Sequence, residues 1–366
     1  MMNGLSQKRY LELPLPTEDD PRSDQQRILD SLAAAGVEER VHMPVHILWK
    51  LYPLLDNAKW KITVSLAWNG ENWEMVEIEE GDTTAQHYGL AVDLGSTTVV
   101  ARLLDCNSGE ILKEVSCFNK QIQWGTDILS RIFYCKDNRE KLEEVRRATV
   151  ESICECMDKL DASHSALSMV IAGNTTMIHF LLGMDAFCVF YTPHAVHADR
   201  PGFQLARDLD IPLKGYVYCY PAKSNYLGGD IISGMIDTEL YKKNEISVFF
   251  DIGTNGELVI GNKEFLLCGA GAAGPALEGG VVRTGMRADI GAVDEVKIRD
   301  GNIFVHVIGN SAPQGICGSG IIDLIAELFL EGWIDIRGKL SPEKSPLIQE
   351  RDNQLCVEYA PGLYFY

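Results

Sequence analysis

AVDLGSTTVVARLL, residues 91–104, is the stretch on which the fold turns. An apolar strand runs into Asp93, bends at Gly95, passes Ser96, Thr97 and Thr98, and continues as a second apolar strand. One reading is an ordinary hairpin whose turn is satisfied by an aspartate. The other is a loop that holds a phosphate and its metal. In that second reading, backbone N–H groups at the bend and the small hydroxyls donate to phosphate oxygens. Glycine lets the backbone come close. A carboxylate at the strand end holds Mg²⁺, mostly through water.

The pattern occurs twice. Asp251-Ile-Gly253-Thr254-Asn255-Gly256 also stands at a strand end before another apolar run, in SVFFDIGTNGELVIG. Around the first copy, GLAVDLG, TTVVARLLD and EILKEVSCF read as an antiparallel meander. A helix over about 139–160 follows, then the strand SMVIAGN, a helix from Thr175 and another opening at GGDIISGM. At Ser247 the meander returns, which implies a repeat at domain scale. Two such bends facing each other across a cleft would grip one polyphosphate from both sides. Between them, Gly228, Gly229 and Asp230 open a helix. Asp230 either orients an attacking water or nucleophile or serves as a helix cap.

Two further glycine-rich stretches precede helices, CGAGAAGPALEGG (268–280, with Gly274) and GICGSGIID (315–323, with Gly318). Each can receive an anion or let the backbone approach a nucleotide, or it can serve tight packing of helix on sheet. Cys317 at the second has no Lys or His beside it in the loop to favour a thiolate. His179 falls on an apolar helix and reads as a core histidine. His194 and His197 are assigned no metal, since Pro193 and Pro201 break the helix a pair would need. Arg131 could face phosphate or pair with Asp127 at i,i+4.

Residues 1–88 read as a small linker and packing module, with a helix over about Ser23–Ala35 closed by Gly36 and the strand pair KITVSLAW and WEMVEIE. The chain of 366 residues is 46% hydrophobic with a formal net charge of −19, enough to bury a sizeable core and of a sign that repels nucleic acid and anionic membranes. It has no apolar run of membrane-spanning length and no secretory leader, so a cytoplasmic location is the default. Its ten cysteines lack any CxxC and read as reduced thiols. Cys154 and Cys156 point to opposite sides of a helix, which disfavours a shared metal.

These residues reach a known pattern. DLGSTT, the glycine-rich helix start and DIGTNGE together resemble the superfamily of sugar kinases, actin and heat-shock chaperones. HYGLAVDLGSTTV, NKQIQWGTDILSRI, IAGNTTMIHFLLG, GAAGPALEGG, GMRADIGAV and GICGSGIIDLIAELFLEGWID resemble, more narrowly, the reductive activators of corrinoid proteins, from about Lys8 to the last residue. The resemblance implies an α/β fold of two ribonuclease-H-like domains around a nucleotide cleft, at 89–245 and 246–366, behind a small α+β module at 1–88. It implies ATP hydrolysis coupled to reduction of cob(II)alamin to cob(I)alamin in a methyl-transfer corrinoid protein. It assigns phosphate binding to Gly95, Ser96, Thr97, Thr98, Gly253, Thr254, Asn255 and Gly256, nucleotide contact to Gly274 and Gly318, Mg²⁺ to Asp93 and Asp251, and a catalytic role to Asp93, Asp230 and Asp251. The family's N-terminal 2Fe–2S domain has no counterpart in this chain, so that cluster is expected only in a longer protein or a ferredoxin-like donor. The second domain is expected to be incomplete at CVEYAPGLYFY. A homodimer stays open. The other functions weighed are a small-molecule kinase of the same superfamily and an ATP-gated, chaperone-like binding module.

Overall fold

The computed structural model describes residues 4–125, 127–162, 166–252, 256–271, 282–286 and 288–366. They form two compact units, Met1–Ser247 with Gly261–Leu266, and Val248–Ile260 with Leu267–Tyr366.

The first unit opens with β1 (Ser6–Glu12), α1 (Asp24–Ala34), β2 (Val41–His42), α2 (Val45–Leu48), α3 (Leu51–Asn57), β3 (Lys61–Trp68) and β4 (Trp73–Glu80). Ser23 caps α1 by accepting the Gln26 N–H at 3.2 Å, and Gly36 leaves the helix at φ +86°. The strands pair in the order β1-β3-β4-β2. Ile28, Leu32, Ile47, Leu55, Ile62, Leu66 and Trp73 fill a core between sheet and helices.

The chain then runs through β5 (Tyr88–Leu94), β6 (Thr98–Asp105), β7 (Ile111–Phe118), α4 (Ile128–Cys135), α5 (Arg139–Lys159), β8 (Ala166–Gly173), α6 (Thr175–Leu181), β9 (Gly202–Leu205), β10 (Tyr216–Cys219) and α7 (Gly229–Asp237). The six strands lie in the order β7-β6-β5-β8-β10-β9. β6 is antiparallel to both β5 and β7, while β8 runs parallel to β5 and to β10. The meander followed by parallel strands through helical crossovers is the ribonuclease-H-like arrangement that the resemblance implies. Leu90, Val92 and Leu94 on β5 pack with Leu142, Val145, Ile153 and Met157 on α5. Those helical positions follow the stripe expected from an amphipathic helix.

The N-terminal sheet is more than a spacer. Ala67 and Val76 pack with Leu167 and Tyr216. The Tyr216 hydroxyl donates to Glu74 at 2.9 Å. Ser6 bridges the His87 ring at 2.9 Å and the Ser168 hydroxyl at 3.1 Å, all three side chains being buried.

The second unit holds β11 (Ser247–Ile252), β12 (Gly256–Gly261), β13 (Leu266–Gly271), β14 (Ala292–Arg299), β15 (Asn302–Val307), β16 (Gly315–Ile316), α8 (Gly318–Leu330), β17 (Ile348–Arg351), β18 (Gln354–Ala360) and β19 (Leu363–Phe365). Their sheets are ordered β11-β12-β13, β15-β14-β16 and β17-β18-β19. Val293, Val296, Ile321, Leu324, Leu328, Trp333 and Val357 make the core. Gly320 sits where α8 crosses β14 so closely that a β-carbon would collide with the Val293 carbonyl oxygen. Among the described residues, no helix is long and apolar enough to cross a membrane.

Candidate functional site

Asp93 is the penultimate residue of β5, opposite Val100 on β6 and Ala172 on β8, and its side chain is exposed. The chain leaves β5 through Gly95, where a β-carbon would collide with the Thr98 carbonyl oxygen. Only glycine closes the bend this tightly. Ser96 and Thr97 form its tip, and Thr98 begins β6.

The bend is held from behind. Asn119 Nδ2 donates to the Gly95 carbonyl at 2.9 Å, and the Asn119 backbone N–H donates to the Thr97 carbonyl at 2.8 Å. Arg131 Nη1 donates to the Ser96 carbonyl at 2.7 Å. The Thr97 hydroxyl oxygen is buried with no partner among the described residues, so it faces inward, whereas Thr98 is exposed. Among the described residues, Asp127 does not take up Arg131 as the i,i+4 spacing suggests. Its carboxylate caps α4 by accepting from the Ser130 N–H at 2.8 Å and the Ser130 hydroxyl at 2.7 Å.

Asp230 stands at the same end of this sheet. β8 ends at Gly173, level with Leu94. A β-carbon on Gly173 would lie 2.8 Å from the Leu94 carbonyl oxygen, and one on Gly228 would lie 2.7 Å from the Asn174 α-carbon. The residue at the N-cap of α7 is Gly228, and Asp230 lies in the first turn, half-buried, accepting the Ile231 N–H at 2.8 Å. Asp230 is therefore not the helix cap that the sequence offered as one of its roles: the N-cap is Gly228, which has no side-chain cap bond, and the Asp230 carboxylate serves a first-turn N–H from two residues further in, at the end of β8. Asn225, buried just before this turn, keeps its side-chain oxygen without a partner among the described residues.

In the second unit, Asp251 is half-buried on β11, and burial raises its carboxyl above the ordinary value of 3.8. Desolvation disfavours the charged form, and a cation beside it would reverse that. Gly256 opens β12, followed by the buried Glu257. Gly253, Thr254, Asn255 and Gly274 lie outside the described residues. Gly318 is the first residue of α8, after the buried Cys317, whose thiol donates to the Val293 carbonyl at 3.3 Å. The neighbouring Gly315 and Gly320 are both explained by close backbone approach.

Among the described residues, no group of three or more His, Cys, Asp or Glu side chains is arranged to hold a metal ion. Mg²⁺ needs no such group, because one or two carboxylates with phosphate oxygens and water suffice. His179 is buried, as its apolar helix suggests, with Nδ1 2.8 Å from the Thr175 carbonyl and Nε2 without a partner among the described residues. Sequence reasoning did not identify Asn119 and Gln121 as parts of the bend's support. Their only signal was membership of the NKQIQWGTDILSRI segment.

Three family models match in succession: the RACo linker region over 1–85, the RACo middle region over 88–243, and the C-terminal domain of RACo, described as the ASKHA domain, over 245–361. A corrinoid activation enzyme, RamQ, from Eubacterium limosum is 36% identical over 258 residues, covering 69% of this chain and 43% of that protein. A Co(II) methylated amine-specific corrinoid protein reductase from Methanosarcina barkeri is 24% identical over 222 residues, covering 57% of this chain and 41% of that protein. A solved reductive activator for a corrinoid, iron–sulfur protein superposes with a TM-score of 0.84 at 35% identity, covering 98% of this chain and 58% of the other. The chain thus spans less than two thirds of the length of each of these relatives.

Proposed function

The chain belongs to the RACo family, and on that premise we propose that it is the ATP-hydrolysing part of a reductive activator of a corrinoid protein. ATP hydrolysis drives the transfer of one electron from a ferredoxin-like donor to cob(II)alamin on the partner, leaving cob(I)alamin. The observation that carries this reading is the bend at Gly95, closed to the limit that glycine permits and placed directly after the exposed carboxylate of Asp93.

In this reading the N–H groups of the bend would donate to phosphate oxygens, and Asp93 and Asp251 would be the carboxylates that hold Mg²⁺. Gly253, Thr254, Asn255 and Gly256 would bind phosphate as the second copy of the motif, and Gly274 and Gly318 would contact the nucleotide. Asp230 orients the attacking water by accepting its proton or a hydrogen bond from it. Bound Mg²⁺ supplies charge neutralisation on the transferred phosphoryl group. The iron–sulfur cluster belongs to the longer protein or to the electron donor.

The test uses the full-length protein with its corrinoid partner poised as cob(II)alamin, reductant and MgATP. ATP consumption and the cob(I) absorption band are followed together. Both are expected to rise on mixing and to be lost in Asp93→Ala and Asp251→Ala. ATP consumption that tracks phosphorylation of a metabolite, indifferent to the corrinoid partner, would replace this reading with a small-molecule kinase. Partner binding that responds to ATP in both variants, with no cob(I) formed, would replace it with a binding module.

A further inference from the structure

We propose that Arg131 is a positioning residue that sets which way the peptide groups of the Gly95 bend face; this rests on the phosphate-binding reading of that bend. Arg131 is completely buried. Its Nη1 donates to the Ser96 carbonyl at 2.7 Å and to Gln121 Oε1 at 3.0 Å, and its Nε donates to the Gly125 carbonyl at 3.0 Å. Gln121 is in turn tied by Nε2 to the Thr149 hydroxyl, which donates to the Val145 carbonyl within α5 at 2.8 Å. The guanidinium therefore joins the backbone of the bend to that of the turn before α4 and, through the Gln121 and Thr149 side chains, to α5.

A trans peptide group points its C=O and its N–H in opposite directions. The peptide bonds of this bend are trans, the cis bond among the described residues being Thr192-Pro193. With the Gly95 carbonyl held inward by Asn119 and the Ser96 carbonyl held inward by Arg131, the N–H groups of Ser96 and Thr97 must face the opposite way. Among the described residues, no protein acceptor takes either of these two N–H groups. Pulling carbonyls in from behind is thus what turns donors out in front. Lysine cannot reproduce this, because a point ammonium lacks the planar fork that reaches two carbonyls and an amide oxygen at fixed angles.

The position of the fork is itself enforced. Gly125 sits at φ +142°, and a β-carbon there would collide with Ser130. That close turn brings the Gly125 carbonyl within reach of Arg131 one helical turn beyond the Asp127 cap.

The experiment measures, in the full-length protein, affinity for the Mg²⁺ complex of a non-hydrolysable ATP analogue and for adenosine, in Arg131→Lys, Arg131→Ala and Asp93→Asn, with thermal melts to verify folding. A residue that only stabilised the fold would move both affinities together or neither. A positioning residue lowers affinity for the triphosphate about tenfold, as expected for lost hydrogen bonds to a charged group, and leaves that for adenosine within about twofold. Equal changes for both ligands, or none, in a folded Arg131 variant overturn the proposal while leaving the phosphate reading intact if Asp93→Asn still loses triphosphate affinity. Triphosphate affinity unchanged in Asp93→Asn and in the Arg131 variants removes the phosphate reading itself. Should neither Arg131 variant fold, Gln121→Met, which removes one acceptor and keeps the arginine, decides: a selective fall in triphosphate affinity supports the proposal, and unchanged affinity overturns it.

Discussion

The carbonyl oxygen of Gly173 lies 2.5 Å from the position that a β-carbon on Gly228 would occupy. Backbone therefore rests directly on backbone where the end of β8 meets the start of α7. Leu94 stands in the same relation to Gly173 across β5 and β8. Three chain segments are stacked without intervening side chains, and this brings the carboxylates of Asp93 and Asp230 to one end of the sheet. The Gly228 β-carbon position is also 2.8 Å from Asp230 Oδ1.

Gly228→Ala is accordingly expected to force α7 away from β8. Overpacking against backbone costs about 1–3 kcal/mol, which urea denaturation reads as a lower midpoint with an unchanged slope. Because the same methyl group crowds Asp230, ATP turnover is expected to fall by more than the loss of folded protein explains. Unchanged stability would mean that the helix start yields at no cost.

Gly95→Ala tests the bend directly. The added methyl group meets the Thr98 carbonyl oxygen, which is fixed backbone. The chain has to open the turn, and the N–H groups of Ser96 and Thr97 then lose their common direction. Triphosphate affinity in the full-length protein is expected to fall at least as far as in Arg131→Lys, with a thermal midpoint only a few degrees lower, as for a loss of about 1 kcal/mol. Wild-type affinity in a folded Gly95→Ala protein would show that the bend does not hold the phosphates.

The carboxyl of Asp251 gives a prediction with a definite sign. Burial raises it above 3.8, so the folded protein holds this proton to a higher pH than the unfolded chain does. The associated stabilisation is complete below the unfolded value and is lost as pH rises through the folded value. At neutral pH the charge is a burden in the absence of a cation, and Asp251→Asn is expected to raise the melting temperature of the nucleotide-free protein. Mg²⁺ at this carboxylate would displace the proton. Affinity for the metal–nucleotide complex should therefore weaken as pH falls through the raised value, and in Asp251→Asn it should be low at every pH. Isothermal titration across pH 4–8 reads both effects, and a pH-independent affinity in the wild type argues against metal at this position.

What sequence reading could reach was set by the range of the interactions involved. The meander β5–β7 and the helix α5 were legible because their apolar positions repeat with periods of two and 3.6 over whole elements. The close bend was legible because Asp and Gly occur together twice. Arg131 was not. Its sequence neighbours offered Asp127 at helical spacing, whereas its main-chain partners, Gly125 and Ser96, contribute only carbonyls, which carry no residue-type signal, and Ser96 is 35 residues away. Cys156 was similarly weighed against Cys154, although the sulfur beside it is that of Cys117, at 3.3 Å on β7. Gly173 and Gly228 read as a strand end and a helix start. That they touch follows from the parallel pairing of β8 and β10, which leads the chain into α7 beside the end of β8 and which pattern alone does not specify.

The contact between the N-terminal sheet and the ribonuclease-H-like sheet should loosen in acid. His87 is buried against Ser6, and burial lowers its pKa below the ordinary 6.5. Ser6 in turn meets Ser168 on β8, so this ring closes a polar link between β1 and the central sheet. Because the folded state binds the proton less readily than the unfolded chain, stability is fully present above pH 6.5 and falls as pH drops through the depressed folded value. The Ser6 hydroxyl can serve neutral imidazole as donor or acceptor, but it cannot accept a charge into a buried site without cost. Hydrogen exchange is expected to accelerate in β1 and β3 ahead of α5 as pH falls below about 6.5, the ordinary histidine value at which the unfolded chain takes up the proton. His87→Gln keeps a hydrogen-bonding side chain that does not titrate. It should flatten this pH dependence, and a His87→Gln protein that still loosens over the same interval would place the titrating group elsewhere.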